Sequence, residues 1–342
     1  MRVAILSART GWHTDELCRA LAERGHTGRV LPYEGLVARL GGRGIAGGLS
    51  SDHTALLEAD AVLARIIPNG SLEQIIYRVD ALHWIEARGV PVMNSPRAIE
   101  RSVDKFYTTA LLQEAGLPTP ETVVCESAAD AVAAVRAMGD AIVKPIFGSM
   151  GHGMVRVSDP DVAERIMRSL EQVRAVFYVQ KAVDHGGRDL RVLIVGGQVL
   201  AAIERWSPEG EWRTNVSRGG SARPFELSAA WGDLAVRAAA AVGADYAGVD
   251  LLPDGDGGVF VLEVNGIPGW QGLQVATGLD VAGAIVACLE VRLRTDKPAG
   301  NFEHDPSDVS TLAQYQPPNA SRSPVHHEER RARRITKGVR RP

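Results

Sequence analysis

The chain runs to 342 residues, 45% of them hydrophobic and 23% charged, with a formal net charge of −3. This is ordinary globular composition with length for two or three domains, which excludes a fibrous or wholly disordered chain. Net charge alone gives no pointer to nucleic acid. Cys18, Cys125 and Cys288 lie far apart, with no C-x-x-C pair, and are expected as buried thiols, not as a disulfide or a zinc set. No apolar run reaches membrane length, and "MRVAILSA" opens as a strand without the apolar stretch of a secretion signal. The expectation is a cytoplasmic protein with no membrane partner.

In chain order, "RVAILSA" (2–8) reads as a strand and 13–25 as a helix with an acidic first turn, closing on Gly25. Residues 28–33 and 60–67 are further strands, a helix starts at Ser71, and "VPVMNS" (90–95) is a short fourth strand. This alternation predicts a parallel, doubly wound α/β domain over 1–95. "SARTGWHT" after the first strand carries a single glycine, so no dinucleotide-binding turn is expected. Residues 95–122 form two short helices broken at Gly116, Pro118 and Pro120. "AIVKPIF" and "FYVQKAV" are strands flanking a helix near 161–173. From Asp189 the strands become antiparallel: "LRVLIVGGQVLAAIERW" is a hairpin around Gly196-Gly197, and after a helix at 229–242 comes the hairpin "AGVDLL"–"VFVLEVN". From Thr295 the apolar periodicity is lost and six prolines appear. Nine basic against six acidic residues give this tail +3 and leave −6 for the rest. A disordered basic tail is predicted, and with no interleaved aromatics a nucleic-acid partner is not.

The strand "VFVLEVN" carries the first chemical signal. Residues two apart share a strand face, so Val261, Glu263 and Asn265 are expected to point one way. With the turn near Gly255-Asp256, Asp250 pairs close to Val261 and becomes a same-face diagonal neighbour of Glu263. Asp250, Glu263 and Asn265 then form a hard-oxygen cluster suited to Mg²⁺, which takes its other ligands from water and phosphate. Two carboxylates so close would repel without a cation, which points to a filled site. The plainer reading is the polar outer face of a hairpin.

Magnesium implies phosphate, and "VKPIFGSMGHGM" offers a loop for it: Gly148, Ser149, Gly151 and Gly153 follow a strand, where backbone N–H groups can approach phosphate oxygens. It is not a Walker A loop, because Lys144 precedes the glycines. Lys144 sits among apolar neighbours, where a lysine needs an anion. Arg205, Arg213, Asn215 and Arg218 in "ERWSPEGEWRTNVSRGG" form an arginine-dense segment suited to phosphate or carboxylate.

The order D-K-F-x-x-T, V-K-P with its glycine loop, Q-K-A, R-D-L-R, W-R-T-N…G-G, G-V-D and L-E-V-N-x-x-P-G resembles the ATP-grasp ligases. More narrowly, "AAIER", R-x-N…R-G-G and "AGVD…EVN…PG" are similar to the RimK-type α-L-glutamate ligases, over roughly residues 91–290. The resemblance implies a mixed α/β and α+β chain: a pre-grasp domain at 1–95, a first ATP-grasp subdomain at 96–182, a second at 183–294 and the tail at 295–342. It gives Lys105 and Lys144 to the phosphates of ATP, and Lys181 and Ala182 to the adenine edge through the backbone. It gives Asp189 to the nucleotide, and Arg213, Thr214 and Asn215 to the phosphate and acceptor region. Asp250, Glu263 and Asn265 would hold two Mg²⁺, with Mn²⁺ as a substitute. Two departures stand out: Lys181 replaces a glutamate usual in the ribosomal branch, and Trp270 follows the glycine of "GIPG".

The reaction so implied activates an acceptor carboxylate as an acyl phosphate and joins it to an amino acid, L-glutamate being favoured, with Arg213 and Asn215 as catalytic groups and Arg213 the oxyanion donor. Trp270 is expected to point out of the strand end and stack on a flat acceptor, which favours a small tetrahydromethanopterin-type pterin over a ribosomal protein tail. Packing of Trp270 against a helix at 281–289 is the plainer alternative. A D-alanine-type ligase, a carboxylase and a non-catalytic nucleotide-binding protein are competing readings, and a homo-oligomer stays open.

Overall fold

The computed structural model describes residues 1–41, 47–148, 152–208, 221–255 and 257–295, so the predicted tail lies almost wholly outside the described residues. The first layer is the expected doubly wound unit. Strands β1 (Arg2–Ser7), β2 (Thr27–Pro32), β6 (Ala61–Ala64) and β7 (Val92–Met93) form one parallel sheet in the order β2-β1-β6-β7. Helices α1 (Trp12–Glu23) and α2 (Leu72–Ala87) connect them. Ser71 opens α2 with a reciprocal capping box, its hydroxyl accepting from Gln74 N–H while the Gln74 side chain accepts from Ser71 N–H. Between β2 and β6 the chain inserts a small antiparallel sheet, β3 (Leu36–Arg39), β4 (Gly48–Ser51) and β5 (Thr54–Ala55), which the sequence reading did not anticipate. These strands are too short for a period-2 pattern to emerge.

Helices α3 (Pro96–Val103) and α4 (Lys105–Glu114) follow, capped by Ser95 and Asp104. A second sheet takes β8 (Thr122–Cys125), β9 (Ala141–Lys144), β10 (Val155–Val157) and β11 (Phe177–Lys181) in the order β10-β9-β11-β8. Helices α5 (Ala128–Met138) and α6 (Pro160–Gln172) cover it through a core of its own built on Ala131, Val135, Val143 and Phe177. The third sheet carries β12 (Arg188–Val195), β13 (Gln198–Trp206), β14 (Ser221–Pro224), β15 (Tyr246–Pro253) and β16 (Val259–Asn265) in the order β14-β13-β12-β15-β16. The β12–β13 hairpin turns at Gly196 and Gly197, both with positive φ (58° and 73°), as a two-residue turn of this hand requires. Helix α7 (Ala229–Val242) is capped by Ser228 and stopped at Gly243.

The last helices, α8 (Gln271–Thr277) and α9 (Val281–Thr295), return to the N-terminal sheet. One core joins Val3, Ile5 and Leu17 with Leu193, Ile203, Trp270, Ile285 and Leu289, so the first and third sheets share their packing. Glu290 accepts from Arg24 at 2.6 Å and pairs with His26 at 2.7 Å, fastening α9 to the α1–β2 corner. Among the described residues no single helix is long and apolar enough to cross a membrane, and the three cysteines are free and half-buried.

Candidate active site

The β15–β16 hairpin holds the three predicted metal ligands, but its register differs from the expected one. Asp250 stands directly opposite Glu263 and Gly248 opposite Asn265, while Leu251 already faces Val261. Leu262 is therefore an extra residue, a β-bulge that reverses the facing of the strand. Val261 and Val264 both enter the core, and Val261 does not share a face with Glu263 and Asn265 as predicted. The bulge brings the two carboxylates nearer than the diagonal placement would.

Their repulsion is met by the protein itself. Arg191 is paired with Asp250 across β12–β15 and grips both its carboxylate oxygens, Nη2 reaching Oδ2 at 2.8 Å. Arg205 lies 3.1 Å from Asp250 Oδ1 and makes two further bonds, of 2.7 and 2.6 Å, to Asp189 directly opposite it on β12. Arginine therefore compensates Asp250, while Glu263 has no ion pair among the described residues. Burial would raise the Asp250 pKa, yet Arg191 and Arg205 override it and hold the carboxyl below its ordinary range. The group is thus kept ionised and aimed. Asp189 is buried and tied to Arg205, so its predicted reach to nucleotide requires that pair to share it.

No set of three His, Cys, Asp or Glu side chains suited to a metal occurs among the described residues. The donor set of two opposed carboxylates and one amide oxygen fits magnesium nonetheless, since that ion completes its shell with water and phosphate. Asn265 Oδ1 is oriented by accepting from Ile267 N–H at 2.9 Å.

The cations come together from different elements. Lys144 ends β9 opposite Tyr178, is buried, and donates to Gln180 Oε1 at 2.6 Å; Gln180 in turn donates to Tyr178 Oη and Thr122 Oγ1. Burial lowers its pKa from 10.5 to about 8, against the opposing pull of Glu263 and Asp250 and with the help of Lys105. Lys144 thus feels the carboxylates of the β15–β16 hairpin and the second lysine together. Asp104 caps α4 by accepting from Tyr107 N–H at 3.0 Å, which sets Lys105 in the first turn. From there Lys105 Nζ donates to Gly148 O at 2.7 Å, touching the glycine loop. Gly148 (φ +153°) and Gly153 (φ +74°) both lie against Pro145, and a Cβ on Gly148 would come within 3.2 Å of its ring. Phe106, which follows Lys105 in the chain, and Phe147, which precedes Gly148, are 50% and 68% exposed.

Ser149, Gly151, Arg213, Thr214, Asn215 and Arg218 lie outside the described residues. Lys181 ends β11 and Ala182 follows it, but their N–H groups are bonded to Glu121 O at 2.9 Å and Asp140 O at 3.0 Å.

Trp270 contradicts its expected role. It is 1% exposed, lies edge-on to His13 at 4.7 Å, and carries the Arg65 guanidinium over its ring at 4.5 Å. The "GIPG" bend turns it inward to cap α8, and Arg65 and His13 bond Pro268 O and Trp270 N–H at 3.0 and 3.1 Å. The residue-level ground for a stacked pterin on Trp270 is gone.

One positioning residue was not foreseen. Asn94, fully buried after β7, donates to Tyr246 O (2.7 Å) and Gly266 O (2.5 Å) and accepts from the N–H groups of Asp245 and Tyr246. It thereby ties the N-terminal sheet to the start of β15 and to the residue that follows β16. A buried asparagine must satisfy its whole amide, and only its neighbour in "MNSP" hinted at a strand end.

Comparison with known proteins agrees with this fold. Residues 102–289 match the profile of the RimK-like ATP-grasp domain and residues 1–99 that of the RimK PreATP-grasp domain. A tetrahydromethanopterin:alpha-L-glutamate ligase of Methanosarcina acetivorans is 36% identical over 262 residues, 69% of this chain and 81% of that protein. A probable alpha-L-glutamate ligase of Sodalis glossinidius is 36% identical over 300 residues, covering 86% of this chain and 98% of its own. Among solved structures, the ATP-grasp ligase PsnB complexed with minimal precursor, Mg and ADP superposes with a TM-score of 0.66 at 23% identity, over 85% of this chain and 98% of that one. The D-cycloserine synthetase DcsG gives 0.65 at 21% identity, over 86% and 100%. At such identities the likeness is one of fold. The chain belongs to the RimK-like ATP-grasp family and is an ATP-dependent ligase that forms carbon–nitrogen bonds.

Proposed function

We propose that the protein uses ATP and Mg²⁺ to activate a carboxylate of a small cofactor as an acyl phosphate and joins it to L-glutamate. The observation that carries this reading is the convergence of Asp250, Glu263 and Asn265 on one strand pair with Lys144 and Lys105 beside the glycine loop. Magnesium, when bound through those oxygens, would neutralise the transferring phosphate. Lys144 and Lys105 supply fixed positive charge for the β- and γ-phosphates, and phosphoryl transfer asks for little beyond positioning and charge. Asp189 and the backbone at Lys181 and Ala182 border the nucleotide, and Arg213, Thr214 and Asn215 the acceptor. Glutamate as the amino acid rests on the names of the relatives. A tetrahydromethanopterin-type pterin as acceptor rests on one of them and on Phe106 and Phe147, whose exposed rings can stack on a flat molecule. The test is ADP release with ATP, L-glutamate and tetrahydromethanopterin, set against a ribosomal peptide ending in glutamate, with products read by mass. Glutamylation of the peptide alone would overturn the acceptor class.

A further inference from the structure

We propose that Gln180, Tyr178 and Thr109 are positioning residues that join Lys144 to Lys105 in one directed chain of hydrogen bonds, so that both cations meet the same polyphosphate. This rests on the assignment of the two lysines to the phosphates of ATP made above. The second sheet shows why these residues gather. Phe177 and Val179 of β11 enter the core under α5 and α6. Tyr178 and Gln180 take the other face, as alternation along a strand requires. Tyr178 stands opposite Lys144 on β9 and Gln180 opposite Thr122 on β8, so all four share that face. Polar faces are mostly wet, yet Tyr178, Gln180 and Lys144 are 1%, 2% and 7% exposed. Helix α4 reaches them through Thr109, whose hydroxyl lies 2.8 Å from Tyr178 Oη.

The donors can be assigned one by one. Thr109 Oγ1 gives its hydrogen to Lys105 O at 2.8 Å, one helical turn back, so Tyr178 must donate to Thr109. Tyr178 Oη then accepts from Gln180 Nε2 at 3.1 Å. The second hydrogen of that amide goes to Thr122 Oγ1 at 3.0 Å, which itself donates to Pro120 O. Gln180 Oε1 is left to accept from Lys144 Nζ at 2.6 Å. The reversed amide would aim N–H groups at an ammonium, so only one orientation is allowed. Every bond therefore runs the same way: Lys144 to Gln180 to Tyr178 to Thr109 to the carbonyl of Lys105. Bonds aligned in this manner polarise and strengthen one another.

The chain fixes a cation at each end. The Lys144 ammonium has three N–H donors and makes no ion pair among the described residues. Gln180 takes one donor and leaves the others for a ligand. At the far end Lys105 opens α4, and its ammonium donates to Gly148 O at 2.7 Å. A lysine is otherwise a point charge on a flexible stem. Holding both in place beforehand removes freedom that phosphate binding would have to remove, which raises affinity without a new contact to the ligand. Gln180, Tyr178 and Thr109 act through the lysines and not on the phosphates themselves.

The test is calorimetric titration of Mg²⁺-ATP and of AMP into the full chain, without acceptor or glutamate. Tyr178→Phe removes one oxygen and keeps the ring, and Thr109→Val removes a hydroxyl and keeps the volume. Each is expected to weaken ATP about tenfold, as for one lost hydrogen bond, and AMP, which lacks the β- and γ-phosphates, by less than about twofold. The double variant is expected to stay near the same tenfold, because one broken link already opens the chain. Thr109→Ser keeps the hydroxyl and is expected to bind ATP like wild type. Melting temperatures establish that each variant is folded, and Thr109, half-buried on a helix, carries the test even where Tyr178→Phe does not fold. Wild-type ATP affinity in folded Tyr178→Phe or Thr109→Val would overturn the proposal. So would an equal loss of ATP and AMP, or a double variant weakened by the product of the single effects. If Lys144→Ala and Lys105→Ala both bind Mg²⁺-ATP like wild type, the assignment of the lysines to phosphate fails instead, a result distinct from these.

Discussion

At the scale of single residues, Glu263 and Lys144 separate metal from phosphate. Glu263 is half-exposed and has no ion pair among the described residues, so it does little for the fold. Glu263→Gln is expected to lower kcat by at least about 100-fold, through loss of a charged ligand, while the melting temperature stays within about 2 °C. Near-normal turnover in limiting Mg²⁺ would remove Glu263 from the metal site. Lys144 has its pKa lowered to about 8 by burial, so the free enzyme loses this cation as pH rises through that value. The expected kcat/KM for ATP is flat below about pH 8 and falls above it, whereas kcat holds further because bound phosphate retains the proton. Lys144→Arg should abolish the decline, and Lys144→Ala should raise the ATP KM and lower kcat together. A profile unchanged in Lys144→Arg would assign the decline to another group.

At the scale of elements, the junction of α1 with α8 decides what Trp270 does. A ring buried between Trp12, His13 and Arg65 is core, so Trp270→Ala is expected to cost about 3–5 kcal/mol, with an unchanged acceptor KM. A raised acceptor KM at full stability would restore the stacking role. His13 supplies a pH signature for the same junction. Burial, with Arg65 adding to it, lowers its pKa from 6.5 to about 4, and its Nε2 accepts from Trp270 N–H. Between those values the unfolded chain binds the proton and the folded one does not. Stability contributed by His13 is therefore present above about pH 6.5 and lost as pH falls towards 4. His13 is partly exposed, so the loss is about 1–2 kcal/mol after screening. Urea midpoints across this window should fall less steeply for His13→Gln, which keeps the acceptor but does not titrate.

At the scale of the whole molecule, α9 closes the fold. Among the described residues its ion pairs join Glu290 with Arg24 and His26, and Arg292 with Asp245 and Glu86. A chain ending at Lys297 is expected to keep its melting temperature and its ADP release. Ending it at Asp280 removes Ile285, Val286 and Leu289 from the core shared by the first and third sheets, and should prevent folding. Thermal melts of the two truncations check both. A lower melting temperature for the 297-residue form would show that the remaining segment packs on the fold.

The sequence by itself determined the alternation of strands and helices, the tight hairpin at Gly196-Gly197 and the family, because these rest on local periodicity, turn chemistry and the order of motifs. It also named Asp250, Glu263, Asn265, Lys144 and Lys105, since each is a charged or amide group in an apolar or motif-bound setting. Tertiary structure decided how they meet. The bulge at Leu262 is invisible in a period-2 pattern that merely slips by one residue, yet it sets Asp250 opposite Glu263 and sends Val261 inward. The pairing of Arg191 and Arg205 with Asp250 and Asp189 joins residues from three strands, which no spacing along the chain encodes. Trp270 turned inward for the same reason: the side chain that follows a tight bend takes its direction from what is packed against it, and here His13 and Arg65 come from elements more than 200 residues away in sequence.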